Sequence, residues 1–276
     1  MMISNKNISF LILLLFFSLS CEKIPNNGIP SYIKLVKPTI QNNSPTQGSS
    51  KNQFSDLWIE SNSLSLGAYE IPTILPLFLE GENEIIVNPG VKLNGSASNR
   101  IIYPIFEPFT ATYNFVQKDT TEITPVFKYR QGVTFLYNDN FENNNNFSNL
   151  QRTSITDVNN IEGKSGKLTL LHSEKTKKAT TINPIVINDG KRVYVEMSLK
   201  SDSYVGVGFS SIYDVNKFIE IAIFQPNSEW NTTYFEITSF INKVKEGQYN
   251  FYINAQKDSE GEEENTYFDN FKIIQF

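Results

Sequence analysis

Arg192-Val193-Tyr194-Val195-Glu196-Met197-Ser198-Leu199-Lys200 is the stretch that decides the fold class. Val193, Val195, Met197 and Leu199 fall on one side of an extended chain. Arg192, Tyr194, Glu196, Ser198 and Lys200 fall on the other. Strict alternation marks a strand, because successive side chains in a sheet point to opposite faces. With one apolar and one polar row, the segment reads as a half-buried strand. Phe218–Phe224 alternates likewise through Ile219, Ile221 and Ile223, and so do Tyr249, Phe251, Ile253 and Ala255. Several such strands with turn residues between them imply a sandwich.

Composition agrees. With 21 Phe and 13 Tyr, and abundant Ile, Val, Thr and Asn, the chain favours strands and turns over helices. No segment predicts a confident helix, and no internal repeat is visible. The expected fold is all-β, with two β-sandwich-like domains over residues 31–130 and 133–276. In the first, strands are predicted at Tyr32–Val36, Leu57–Glu60, Leu64–Tyr69, Glu84–Asn88, Arg100–Phe109, Ala111–Gln117 and Glu122–Tyr129. Pro72 and Pro76 keep Ile71–Leu79 out of a central strand. Glu80-Gly81-Glu82-Asn83 reads as a turn, Asn88-Pro89-Gly90 as a type II turn, and Asn94-Gly95 as a type I′ hairpin. Pro38–Gln53 and Asn143–Asn146 read as polar loops.

The N-terminus carries an address. Lys6 precedes an apolar run from Ile8 to Phe17, then Ser18-Leu19-Ser20-Cys21. A charged start, a short apolar middle and a small residue before the cut form a secretory signal. The run is shorter than the roughly 20 apolar residues that span a bilayer. Cys21 is the chain's single cysteine. Its position resembles that of the acylated cysteine of bacterial lipoproteins, with Ser18 where those signals usually carry Leu. The resemblance implies a signal over residues 1–20, lipidation at Cys21 and a tether over residues 21–30. Fully extended, that tether reaches about 30 Å. The plainer alternative is a secreted protein with a spare cysteine.

The mature chain would hold about 256 residues, room for one large or two ordinary domains. The whole chain's net charge is −5, which argues against sequence-independent nucleic-acid binding. Lys175-Thr176-Lys177-Lys178 reads as a solvated hairpin tip, and Glu262-Glu263-Glu264 as a solvated acidic loop.

Sites for chemistry are mostly missing. His172 is the single histidine, and no nucleophile motif accompanies it as a triad would require. No His/Cys cluster has zinc spacing. Gly206-Val207-Gly208 lies in a strand-like run with no following helix, so it is no phosphate loop. Arg100 either offers a fork to a partner carboxylate or pairs with a local acid such as Glu107.

One constellation joins the two ends of the second domain. Asn138-Asp139-Asn140-Phe141-Glu142 stands near its start, and Tyr267-Phe268-Asp269-Asn270-Phe271-Lys272-Ile273 forms its last strand. This pairing resembles jelly-roll modules of the galactose-binding and carbohydrate-binding type. The resemblance implies that Glu142 and Asp269, with Asp139 beside them, hold a structural calcium. The alternative is that these side chains only bond loop backbone. Phe268 and Phe271 break strict alternation, which predicts a bulge at Asp269-Asn270. Such modules stack aromatic rings on sugars, which makes Tyr194, Tyr204 and Tyr252 the candidate ligand platform. Trp230 resembles the core tryptophan of these folds.

Gly67-Ala68-Tyr69-Glu70-Ile71-Pro72, Leu75-Pro76 and Arg100-Ile101-Ile102-Tyr103-Pro104, with Ile29-Pro30-Ser31-Tyr32-Ile33, resemble uncharacterised outer-membrane lipoproteins of Bacteroidota. Asp119-Thr120-Thr121 is similar to the O-glycosylation sequon of that phylum. The expectation is a non-enzymatic, outer-membrane-anchored structural or accessory subunit of an envelope assembly. Its partners would be the membrane, through the lipid, and outer-membrane proteins or other lipoproteins. The alternative is glycan capture by the second domain.

Overall fold

A computed structural model describes residues 28–42, 44–49, 54–188, 190–214, 218–244, 247–257 and 261–276. The predicted signal, Cys21 and most of the tether lie outside the described residues.

The chain is all-β. Its first part holds β1 (Ser31–Leu35), β2 (Thr39–Gln41), β3 (Asp56–Ser61), β4 (Leu64–Glu70), β5 (Thr73–Leu77), β6 (Gly81–Lys92), β7 (Arg100–Ile102), β8 (Phe109–Phe115), β9 (Thr120–Ile123) and β10 (Val126–Lys128). One sheet has the order β5-β1-β9, with β1 and β9 parallel. A larger sheet runs β4-β3-β6, and β6 then pairs with both β7 and β8. A two-stranded ribbon joins β2 to β10. Ile33, Leu35, Leu57, Ile59, Ile85, Val87, Phe115 and Ile123 fill the core between the sheets.

Prolines explain two details. β5 lies at a sheet edge, and Pro76 sits there opposite Tyr32, where a missing N–H costs nothing. The predicted turn at Asn88-Pro89-Gly90 is instead continuous strand. β6 runs through it while its second partner changes from β8, ending at Val87, to β7, starting at Gly90. Pro89 falls at that change of partner. Gly90 serves a close approach: a Cβ there would collide with the Asp56 carboxylate and the Trp58 indole. The predicted turn at residues 80–83 likewise gives way to the start of β6. The predicted strand Arg100–Phe109 is broken after Ile102, and Glu122–Tyr129 splits into β9 and β10.

The second part holds β11 (Thr134–Asp139), β12 (Phe147–Ser148), β13 (Gln151–Arg152), β14 (Gly166–Leu170), β15 (Thr176–Thr181), β16 (Ile185–Val186), β17 (Val193–Ser201), β18 (Tyr204–Ser211), β19 (Phe218–Phe224) and β20 (Asn227–Glu236), then α1 (Thr238–Val244), β21 (Gln248–Gln256) and β22 (Glu264–Gln275). They form a jelly-roll sandwich. One sheet has the order β13-β14-β22-β17-β20, with β11 also on β22; we call it the junction sheet. The other, the open sheet, has the order β12-β15-β21-β18-β19, with β16 also on β21. Val195, Met197, Val207, Phe251, Ile253 and Phe268 interdigitate between them. The two turns of α1 escape detection in the sequence because they are too short to show a helical period. Ile241 is its buried residue.

The first and last strands of the sandwich, β11 and β22, pair antiparallel. The predicted bulge at Asp269-Asn270 is present. Glu196 pairs with Lys272 but Ser198 with Asp269, and Asn270 takes φ 52°.

Expected half-burial of Arg192–Lys200 is overturned. Val193–Leu199 are buried on both faces. The polar row lies against the first sandwich, where Tyr194, Tyr234 and Ile274 join its core. Tyr103 meets Tyr194 edge-to-face at 5.4 Å and Tyr234 at 5.1 Å. β6 ends at this seam, where Leu93 bridges to Tyr234. Glu196 and Lys272 face each other there at 3.7 Å, with side chains 2% and 0% exposed. Lys272 Nζ also donates to the Ser49 carbonyl at 3.1 Å and Tyr129 Oη at 3.4 Å. Burial raises the Glu196 carboxyl and lowers the Lys272 ammonium, and each charge opposes the shift of the other.

Removing one partner strands a buried charge, a change that costs about 3–5 kcal/mol. Lys272→Met should lower the unfolding free energy by about that amount in urea titrations. The double variant Glu196→Gln, Lys272→Met should recover most of the loss.

Candidate functional site

A sandwich has two outer faces, and here one is covered. The seam occupies one half of the junction sheet's outer face. The loop over residues 153–165 lies across the other: Asn159 Oδ1 accepts from Lys200 Nζ at 3.0 Å, its carbonyl from Trp230 Nε1 at 2.9 Å, and its Nδ2 donates to Tyr267 Oη at 3.2 Å. The outer face of the open sheet stays in contact with solvent, and that makes it the candidate site.

Strand parity assembles this face. On β21 the core takes Tyr249, Phe251, Ile253 and Ala255, so Asn250, Tyr252, Asn254 and Gln256 point outward. On β18 the core takes Val205, Val207 and Phe209, leaving Tyr204, Gly206, Gly208 and Ser210 outside. Lys178 and Thr180 of β15 pair with Asn254 and Tyr252. On β19, Phe218 and Glu220 pair with Ser210 and Gly208.

Phe218, 49% exposed, meets Tyr252 edge-to-face at 5.4 Å. Lys178 Nζ lies 3.5 Å from the Phe218 ring centre and 5.2 Å from that of Tyr252. Gly208 makes room for this group, since a Cβ there would strike the Tyr252 phenol. Burial depresses the Lys178 ammonium and raises the Tyr252 phenol, with Glu220 raising the latter further. The face thus offers an apolar ring, a cation, a carboxylate and amides within one patch.

The three predicted tyrosines separate. Tyr194 is fully buried in the seam and cannot contact a ligand; the polar row that made it a candidate is covered by the first sandwich. Tyr252 reaches the predicted face but is only 5% exposed, beneath Phe218 and Lys178. Tyr204 lies on the same face, half-buried. Trp230 is not a core residue: it is half-buried on β20 and fixes the covering loop.

Phe218, Glu220 and Lys178 were not singled out by the sequence. Phe218 and Glu220 share one phase of β19, opposite to Ile219 and Ile221, and that phase was the available signal. Ile223 departs from the predicted apolar row and is 59% exposed, because a bulge opposite Val207-Gly208 shifts the register. The short basic run is no mere hairpin tip, since Lys177 and Lys178 lie within β15.

Other candidates resolve locally. Arg100 pairs with Asp56 at 3.2 Å and with Glu70, not with Glu107. His172 is exposed in a turn.

Glu142 and Asp269 come to one segment of the covering loop. Glu142 Oε1 accepts from Lys164 N at 2.9 Å, and Asp269 Oδ2 from Ser165 Oγ at 2.8 Å. Asp139 serves its own turn, accepting from Phe141 N at 3.0 Å and Asn146 N at 3.3 Å. Among the described residues, no group of three or more His, Cys, Asp or Glu side chains could hold a metal ion. Calcium wants six to eight hard oxygens, and this donor set does not fit it. The pair bonds the loop instead. Burial foremost, with help from Glu162 and Glu142, pushes the Asp269 carboxyl up to about 8.

Two clefts border β20. One of about 190 Å³ lies between Phe54, Ser55, Lys92 and Gly95 and residues 231–234. The other, about 120 Å³, is lined by Leu199, Phe224 and Asn227 among others. Both fall below the roughly 300 Å³ of ordinary small-molecule pockets.

No protein-family model matches the chain, and no curated protein matches it. Solved structures similar to it include carbohydrate-binding modules and the enzymatically active domain of a bacteriophage CBA120 tailspike protein. One, described under the promiscuous specificity of carbohydrate-binding modules from the β-sandwich superfamily, is 14% identical, with a TM-score of 0.39, over 90% of this chain and 99% of that one. The family 11 module of the cellulosomal cellulase Lic26A-Cel5E of Clostridium thermocellum is 16% identical, with a TM-score of 0.35, over 52% of this chain and 95% of its own. A family 61 module solved with β-1,4-galactotriose is 11% identical, with a TM-score of 0.33, over 53% and 90%.

The Asp269 carboxyl generates a pH prediction. Unfolded, it ionises near its ordinary 3.8; folded, it keeps its proton to about 8. Its contribution to stability is therefore complete below about pH 4 and is lost as pH rises toward 8. Thermal melts between those limits should show wild-type stability falling more steeply with pH than that of Asp269→Asn. Parallel curves would contradict this.

Proposed function

We propose that this protein binds a glycan on the outer face of its open sheet, without a reaction of its own, while a lipid on Cys21 holds it at the outer membrane. The observation that carries this reading is the Phe218–Tyr252 pair, set on the open sheet among Lys178, Glu220, Asn254 and Gln256. A sugar ring presents an apolar C–H face and a rim of hydroxyls. An exposed aromatic suits the first. Carboxylate, ammonium and amide groups suit the second, because hydroxyls both donate and accept. Lys178 and Glu220 offset each other's charge, so the ligand class that fits is neutral. An open face suits an extended chain better than an enclosed small molecule.

The sequence favoured a structural or accessory subunit of an envelope assembly. That role leaves the open aromatic face unused, and the face therefore moves the preference to glycan capture.

Glycan arrays and titration calorimetry test this. Wild type should bind neutral polysaccharide, and Phe218→Ala should weaken it by about tenfold, or 1.4 kcal/mol, with an unchanged melting temperature. A folded wild-type protein that stays silent on neutral glycans would return preference to the subunit role.

A further inference from the structure

Three strongly exposed apolar side chains gather at one end of the first sandwich: Leu64 at 69%, Phe78 at 58% and Val116 at 50%. Leu64 opens β4, Phe78 lies between β5 and β6 and Val116 follows β8, and hydrogen bonds tie these places together. Asn62 Nδ2, in the turn before Leu64, donates to Asn83 Oδ1 at 2.9 Å. Asn83 Nδ2 donates to the Glu80 and Gly81 carbonyls at 3.0 and 3.1 Å, just after Phe78. Gln117 Nε2, next to Val116, donates to Glu80 Oε2 at 3.2 Å.

The chain enters the fold at this same end. Lys118 N donates to the Pro30 carbonyl at 2.9 Å, and Ser31 Oγ donates to the Leu77 and Leu79 carbonyls at 3.1 and 2.9 Å. Pro30 is nine residues from Cys21, a span of about 30 Å at most. The jelly roll lies at the opposite end of β6. That strand starts at Gly81, beside the apolar rim, and its 12 residues lead to the seam, a distance of roughly 36 Å.

We propose that Leu64, Phe78 and Val116 form a foot that seats in the headgroup layer of a phospholipid bilayer. Apolar side chains on fixed loops beside an anchored terminus are suited to that layer. The charges nearby are Glu80, Glu82, Asp119 and Lys118, an acidic excess, so the fitting surface is zwitterionic, not anionic. The foot rests on the reading of Cys21 as lipidated. It makes the first sandwich a spacer that holds the open sheet away from the membrane.

Hydrogen–deuterium exchange on the full-length protein in phosphatidylethanolamine/phosphatidylcholine vesicles tests it, against the same chain carrying Cys21→Ala in buffer. Amides at 62–64, 78–81 and 116–119 should exchange about threefold or more slowly on the bilayer, and those at 218–224 equally in both. The triple variant L64S/F78S/V116S should stay on the vesicles and lose that protection. Equal exchange of the three tips in acylated wild type would overturn the foot and leave the anchor intact. Intact mass of the mature chain reads the anchor separately. If it shows no acylation, the anchor reading fails, and the tips of the protein mixed with vesicles still decide the foot. A sugar found on Thr120 in that spectrum would also overturn it, since it would hold the rim off the lipid.

Discussion

Glu196 and Lys272 meet inside the seam between the two sandwiches, and most of the architecture depends on that meeting. A carboxylate or an ammonium taken out of water alone costs several kcal/mol. Together, with Tyr129 and the Ser49 carbonyl around the ammonium, they are tolerable only while the first sandwich lies on the junction sheet. Edge-to-face contacts of Tyr103 with Tyr194 and Tyr234 provide the apolar gain that the ion pair lacks. The pair thus specifies how the domains dock more than it strengthens them.

Docking then decides which faces stay open. It covers half of one outer face, and the loop over residues 153–165, fixed by Asn159, covers the rest. The open sheet keeps its own outer face, with Phe218 and Ile223 half in water. β6 carries the geometry from end to end. Its first residues stand beside the apolar rim at Pro30, and its last reach the seam.

Much of the fold was legible in local pattern. Alternation placed β17, β19 and β21, and the broken alternation at Phe268 and Phe271 located the bulge at Asp269-Asn270. Pro76 marked an edge strand. Pro89-Gly90 misled, because the same dipeptide that makes a turn can also sit where a long strand changes partners. Glu142 and Asp269 bond neighbouring residues of the covering loop, whereas Asp139 bonds its own turn. Tyr252 and Tyr204 share the outer face of the open sheet, where Phe218, Lys178 and Glu220 join them from strands distant in sequence that only pairing aligns.

By itself the sequence determined that the chain is all-β and which residues alternate. These follow from side-chain period and composition, which are local. Only the tertiary structure decided which polar rows meet water. A strand's outward row looks the same whether solvent or another domain covers it, so Tyr194 and Tyr252 were equivalent in sequence. Burial is a property of what packs on a surface, and for Tyr194 that is Tyr103, ninety-one positions earlier in the chain.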